Sequence, residues 1–386
     1  MADVLIIGGG VIGLAIARAL AKRGAGDIFV LEKQQFGREA SWAAGGILAP
    51  QIEADASDDF FRLACRSRDM YRDFTAELQV ESGIDVEFDT TGTLFVAFSA
   101  EEETEFRSRY LWQQREGLAV EWLDGDEARK FEPSISPHAR CALRFPNDLQ
   151  VDNRRLVEAL IVANRRLGVH LIDNCEARSI TVSARKVSGV TTSAGFIEAS
   201  KILIAAGAWS SLIEPAEFVP VEPVRGQMLC FAAPRFARHV IYSSRGYLIP
   251  RHDGRLLAGS TSERVGFDKR VTHEGIETIR SMAFEIAPAL QHCPVIDSWA
   301  GFRPRAEDDL PALGAAPHVK HLFFATGHYR NGILLAPITG ELMADAILSG
   351  KTSPSVEPFS PQRFSPQANG TLSQQPLVHS QSTSRS

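Results

Sequence analysis

The chain has 386 residues, 44% of them apolar and 23% charged, and its 41 basic and 47 acidic side chains give a formal net charge of −6. That apolar share excludes global disorder and allows a large core, in two domains or in one α/β domain with a second layer. The mildly acidic balance argues against a general nucleic-acid binder. The cysteines, Cys65, Cys141, Cys175, Cys230 and Cys293, show neither CxxC nor Cys/His zinc spacing, so reduced thiols, no metal site and a cytoplasmic setting are expected.

"DVLIIGGGVIGLAIARALAKRG" opens the chain. It predicts a buried strand over 4–7, a tight glycine turn and a helix over 11–23 stopped by Gly24. A second strand over 27–31 ends on Glu32, completing a β-α-β unit. Three consecutive glycines split the apolar start and no basic segment precedes it, so no secretory signal is expected. No apolar run reaches the ~18 residues of a membrane span, so none is expected.

Residues 55–82 carry a helical rhythm, 84–98 become strand-like with a turn at Thr91 and Gly92, and 101–117 are helical again. An amphipathic helix over 156–167 leads to a short strand over 169–172. Short strands follow at 180–182, 186–192 and 195–198, then a buried strand in "KILIAAGAWS". Residues 223–261 are rich in strands, 276–286 form a helix, "HLFFATG" is a buried strand, and 333–348 form a helix ending at Gly350. The expected organisation is a Rossmann-like nucleotide domain of 1–84, 140–219 and 300–352, with a β-rich α+β domain of 85–139 and 220–299 inserted. Ser, Pro and Gln dominate 353–386, which is expected to be a disordered tail.

The pattern Gly8-x-Gly10-x-x-Gly13 follows a strand and opens a helix. Gly8 permits the tight turn, Gly10 lets backbone approach a pyrophosphate, and Gly13 lets helix pack on strand. Unpaired N–H groups at the helix start favour the diphosphate. Glu32 ends the second strand, where a carboxylate accepts ribose hydroxyls, favouring NAD or FAD over NADP. "SWAAGGILAP" is a run of tiny residues, read equally well as a loop approaching a flat ring or as ordinary packing.

Together "IIGGGVIGLAIA", "SWAAGGILAP", "LIAAGAWS", "GYLIPR", "AGFRP" and "GHYRNGILLAP" make the chain resemble, over about residues 3–350, the D-amino-acid-oxidase-like flavoproteins, within them the glycine oxidases of thiamine biosynthesis. The resemblance implies FAD, with Gly8, Gly10, Val11, Ile12 and Gly13 at the diphosphate and Glu32 and Lys33 by the ribose. It places Ser41, Ala43, Ala44, Gly45, Gly46 and Leu48 along the flavin, Ala177 at the adenine through its backbone, and Ala206, Gly207, Trp209 and Gly301 at the cofactor. His328, Arg330, Asn331, Gly332, Ile333 and Leu334 would lie at the pyrimidine edge, with a helix N-terminus facing the reduced, anionic flavin.

The resemblance makes Arg303 the clamp on a substrate carboxylate, with Tyr247 and Arg330 beside it and Ser262 over the substrate. Read singly, each has a structural alternative: Arg303 paired with Asp308 or Asp309, Arg330 with Glu341 or another acid, Tyr247 as a core aromatic. Ser262 and Arg245 depart from the family pattern and would shift specificity. "WAGFRPRAEDD" holds no cysteine, so non-covalent FAD is expected.

The implied reaction is hydride transfer from the α-carbon of glycine, a small D-amino acid or a secondary amine to flavin N5. It gives a 2-oxo acid, ammonia or amine, and H2O2 from O2. The alternatives are a D-amino-acid dehydrogenase that reduces a quinone and a non-catalytic FAD-binding protein. A homo-oligomer is an analogy only.

Overall fold

The computed structural model describes residues 1–215 and 219–365. Strand β1 (Ala2–Ile7), helix α1 (Val11–Lys22) and strand β2 (Ile28–Leu31) form the opening unit. The short α2 (Ala40–Ala43), β3 (Ile47–Leu48) and α3 (Pro50–Glu53) precede the long helix α4 (Asp59–Ser82). Next come β4 (Thr93–Ala97), α5 (Ala100–Arg115), β5 (Glu121–Asp124), α6 (Gly125–Phe131) and β6 (Cys141–Phe145). β7 (Leu149–Gln150), α7 (Asn153–Arg166), β8 (His170–Ile172), β9 (Ala177–Ser183), β10 (Lys186–Thr192) and β11 (Gly195–Ile204) follow. β12 (Val221–Ala232), β13 (Val240–Ser243), β14 (Gly246–Pro250), β15 (Arg255–Gly259), α8 (His273–Ile286) and β16 (Val295–Ala306) come next. β17 (Ala312–Ala315), β18 (Leu322–Thr326) and α9 (Gly332–Ser349) complete the order.

The first sheet runs β17-β18-β11-β1-β2-β8, and β10 and β9 continue from β11 as an antiparallel meander. β18, β11, β1, β2 and β8 are parallel. Side chains alternate along β1: Val4 and Ile6 join the core under α1, α4, α7 and α9, while Leu5 and Ile7 face the opposite core. The second sheet runs β16-β12-β15-β14-β13-β4-β6-β5 and is antiparallel except for the β13–β4 pair. α8 packs Ile279, Met282, Ala283 and Ile286 against it.

α9 is long and apolar enough to cross a membrane, but it is a core helix here, largely buried and packed on α1 and α4.

Several expectations are corrected. The strands expected at 195–198 and within 201–210 are one strand, β11. Its outer half pairs with β10 and its inner half with β1, so the polar stretch between marks a change of partner, not a turn. Strand character expected throughout 84–98 is confined to β4 and a single bridge from Asp89 to Gln150, and the helix expected from 55 starts at Asp59, because the Asp58 side chain caps the Phe61 N–H at 2.7 Å. β5, α6 and β6 went unpredicted.

Residues 141–145, assigned to the nucleotide domain expected to resume at 140, instead form β6, which pairs with β4 and β5 in the second sheet. The expected boundary at 300 falls inside β16, which pairs with β12 throughout. The tail expected to be disordered is ordered over its first part. Residues 354–359 and 361–364 form 3-10 turns, Val356 and Phe359 are buried, and Arg363 pairs with Asp308 at 2.6 Å. A few apolar residues suffice when each meets an apolar surface; residues 366–386 of that expectation lie outside the described residues.

Candidate active site

A cavity of about 450 Å³ lies where the strand ends of the first sheet meet one face of the second. Gly8 ends β1 at φ +114°, and a Cβ there would sit 2.3 Å from the Ala205 carbonyl oxygen. A Cβ on Gly13 would sit 2.0 Å from the Gly8 carbonyl oxygen, so only glycine lets α1 approach β1 this closely. α1 has no acidic residue in its first turn, and Gly10, Val11 and Ile12 line the cavity. Ser41 Oγ accepts from the Val11 N–H at 2.9 Å, tying the small-residue loop to the helix start.

Glu32 is buried at the cavity edge and accepts from the N–H groups of Gly9 at 3.0 Å and Gln34 at 3.2 Å. Burial pushes its carboxyl above the ordinary range, opposed by those two donors. Lys33 lies 3.3 Å over the Trp209 ring, and burial lowers its pKa.

The loop over 41–48 is held from the neighbouring elements. Asn153, the first residue of α7, donates to the carbonyls of Ser41 at 2.8 Å and Trp42 at 3.0 Å. Buried Arg251, after β14, donates to the Gly45 carbonyl at 2.7 Å, the Val151 carbonyl at 3.1 Å and Asn153 Oδ1 at 3.1 Å. Trp299 Nε1 donates to the Ala43 carbonyl at 3.0 Å.

Arg303 projects from β16. Its Nη1 donates to the Thr261 carbonyl at 3.0 Å and its Nη2 to Ser260 Oγ at 2.5 Å. No carboxylate among the described residues pairs with it. Asp309 pairs with Arg305 and Asp308 with Arg363, which removes the structural alternative for Arg303. Tyr247 is half-buried and donates to Ser260 Oγ at 3.2 Å. It stands directly opposite Tyr242 in the β13–β14 hairpin, with ring centroids 5.3 Å apart.

Arg330 is exposed beside the cavity; the Glu53 carboxylate raises its pKa further, while Glu341 pairs instead with Arg23. His328 is buried, with Nε2 3.3 Å from Thr339 Oγ1, and burial pushes its pKa down to about 3, so it is neutral near pH 7.

Gly8, Gly10, Val11, Ile12, Glu32, Lys33, Ser41, Ala43, Ala44, Gly45, Gly46, Ala177, Ala206, Gly207, Trp209, Tyr247, Gly301, Arg303, His328, Arg330, Asn331, Gly332 and Ile333 all line this cavity. Gly13, Leu48 and Leu334 are buried outside its lining. Ser262 is exposed and lines nothing here; Ser260, two residues earlier, is the serine that meets Arg303 and Tyr247. Arg245 is likewise exposed and pairs with Glu285 at 2.5 Å. Sequence reasoning missed Tyr242, Met228 and Glu53 in the wall. Hairpin pairing across "YSSRGY" was a usable signal for Tyr242; Glu53 had none.

Backbone donors at a helix start, a buried carboxylate after the second strand and a roomy adjoining cavity fit a dinucleotide. Fold and site thus define a dinucleotide-binding oxidoreductase. The family model for FAD dependent oxidoreductases matches residues 3–346, and the chain belongs to that family, with FAD as its cofactor. It is 37% identical over 369 residues to the bifunctional protein ThiO/ThiG of Synechocystis, covering 94% of this chain and 54% of that protein. The chain thus spans about half the length of the curated relatives it matches first. It is 34% identical to the glycine oxidase of Pseudomonas putida, over 93% of this chain and 98% of that one. The crystal structure of glycine oxidase from Geobacillus kaustophilus superposes with a TM-score of 0.89 at 34% identity, covering 94% of this chain and 98% of that one. Among the described residues no cluster of three or more His, Cys, Asp or Glu could hold a metal ion.

Proposed function

We propose that this chain oxidises glycine or another small amino acid or secondary amine, releasing a 2-oxo acid (glyoxylate from glycine), ammonia or amine, and H2O2. The observation that carries the reading is Arg303: a guanidinium in the cavity wall, bonded, among the described residues, only to a carbonyl and a hydroxyl and paired with no carboxylate. A planar cation so held is ready for the two oxygens of an incoming carboxylate.

Ser260 Oγ and the Thr261 carbonyl hold Arg303 in place, and Thr261 Oγ1 is itself anchored to the Gln227 N–H at 2.9 Å. Tyr247 would reorient its hydroxyl from Ser260 toward the same carboxylate. Gripping that end orients the α-carbon and lowers the entropic part of the barrier. Bound FAD supplies the hydride-accepting and oxygen-reducing chemistry. Glu32 would hold the ribose and the α1 start the diphosphate, while Tyr242 and Met228 would narrow the substrate end and exclude water. His328, buried and with its pKa lowered to about 3, is too weak a base to take the substrate's ammonium proton, so substrate must arrive with its amine already deprotonated or lose that proton to water.

The ThiO and glycine oxidase relatives support a role in thiamine biosynthesis; non-covalent FAD is part of the same proposal, since residues 299–309 hold no cysteine. The test is anaerobic mixing of the FAD-loaded protein with glycine, sarcosine, D-alanine and D-proline, followed by a peroxide assay in air. Bleaching by glycine with stoichiometric peroxide is expected. Flavin that none of the four reduces would refute the reading; bleaching without peroxide would favour the quinone-reducing dehydrogenase.

A further inference from the structure

Pro337 lies inside α9. A proline has no N–H, so the carbonyl four residues earlier, that of Ile333, loses its helical partner. The Tyr71 hydroxyl of α4 donates to that carbonyl. One residue along, Ser67 Oγ donates to the Leu334 carbonyl at 2.6 Å and accepts from the Ile338 N–H at 3.5 Å, so it stands within the next helical bond. Ser67 and Tyr71 are four apart on one face of α4, and both are fully buried. Phe74 and Phe88 flank the Tyr71 ring, with centroids at 5.8 Å and 6.4 Å. Burial raises the Tyr71 pKa, so its hydroxyl remains a donor across the working range.

Ile333 also lines the cavity, together with Asn331 and Gly332 at the start of α9. No side chain caps that start, and its first turn holds no acid. The free N–H groups and the positive dipole end therefore face the cavity undiminished. Two side chains of α4 thus meet the backbone of α9 at its proline interruption, within the first turns behind that positive end.

We infer that Tyr71, acting through the Ile333 carbonyl and seconded by Ser67, is a positioning residue that sets the angle of the α9 N-terminus to the bound flavin and so raises the flavin's affinity for electrons. The inference rests on the flavin lying against the α9 start and goes beyond it by naming what holds that start. Tyr71→Phe keeps the ring and removes only the donor.

The experiment is titration of the FAD-loaded protein with sulfite, which adds to electron-poor flavins. Tyr71→Phe is expected to weaken sulfite binding at least fivefold and to lower kcat for glycine, with KM changed less than twofold. Pro337→Ala returns an N–H to the Ile333 carbonyl. In the Tyr71→Phe background it is expected to restore the sulfite Kd to within twofold of the parent protein. An unchanged sulfite Kd in Tyr71→Phe overturns the inference, and so does a double variant no better than the single one. If Tyr71→Phe does not fold, Ser67→Ala decides in its place, with a threefold loss expected and no change overturning. Parent protein that takes up no FAD would sink the cofactor reading itself, an outcome distinct from FAD bound with sulfite affinity indifferent to residue 71.

Discussion

Arg303 and Tyr247 converge on one oxygen: Arg303 Nη2 donates to Ser260 Oγ at 2.5 Å and the Tyr247 hydroxyl donates to the same atom at 3.2 Å. They reach it from different strands, β16 and β14, so the sheet sets their spacing. Removing a charge-assisted hydrogen bond costs about 1.5–3 kcal/mol. Arg303→Ala should therefore raise KM for glycine about ten- to hundredfold, with FAD content unaltered. Tyr247→Phe should cost less, and a double-mutant cycle should show coupling between the two. Steady-state kinetics on the four proteins checks this; an unchanged KM in Arg303→Ala would remove the clamp.

Ser260 and Ser262 separate cleanly. Ser262 is exposed, absent from the cavity lining and bonded to neither Arg303 nor Tyr247, so Ser262→Ala should leave KM within about twofold, the scatter of ordinary surface changes. Ser260→Ala leaves Arg303 with one acceptor fewer and should raise KM severalfold. The reverse ranking in a kinetic comparison would restore Ser262 to the site.

Gly13→Ala places a Cβ where the Gly8 carbonyl oxygen already stands, 2.0 Å away. Either α1 or the turn must move, and with it the donors offered to the diphosphate. The purified variant should carry little FAD, read as the ratio of absorbance near 450 nm to that at 280 nm, an approximate flavin band.

Arg251 joins the 41–48 loop, Val151 and α7 through buried hydrogen bonds. Arg251→Ala strands those acceptors and should destabilise the fold by roughly 3–5 kcal/mol, the range for breaking a buried charged network. Arg251→Lys should rescue poorly, since an ammonium lacks the planar fork that reaches both Gly45 and Val151. Denaturant titration of the apoprotein measures both.

His328 predicts an acid limb. Its folded pKa, about 3, lies below the ~6.5 of an unfolded histidine. Below pH 6.5 the unfolded chain gains a proton that the folded one refuses, so stability is complete above that pH and is lost as pH falls toward 3. One such proton contributes a slope of about 1.4 kcal/mol per pH unit. His328→Gln should flatten the stability curve between pH 6.5 and 5 by about that amount; parallel curves for the two proteins would show that His328 titrates normally.

Legibility followed range. Gly8, Gly13 and Glu32 were readable because a tight turn, a helix start and a strand end lie within one β-α-β unit, where steric rules act over a few residues. Arg303 and Tyr247 were readable only through resemblance, since nothing local distinguishes a clamp from an ion pair. The tail was misread over 353–365 because composition counts apolar residues, whereas burial depends on where Val356 and Phe359 land.

The amino-acid sequence by itself determined a dinucleotide cradle and the strand-and-helix alternation around it, because backbone geometry and periodicity are local properties. Only the tertiary structure decided that Ser260 and not Ser262 meets Arg303, and that Tyr71 completes a helix broken by Pro337. Those pairings join residues far apart in the chain, and sheet register and helix packing, which no short stretch encodes, bring them within hydrogen-bonding distance.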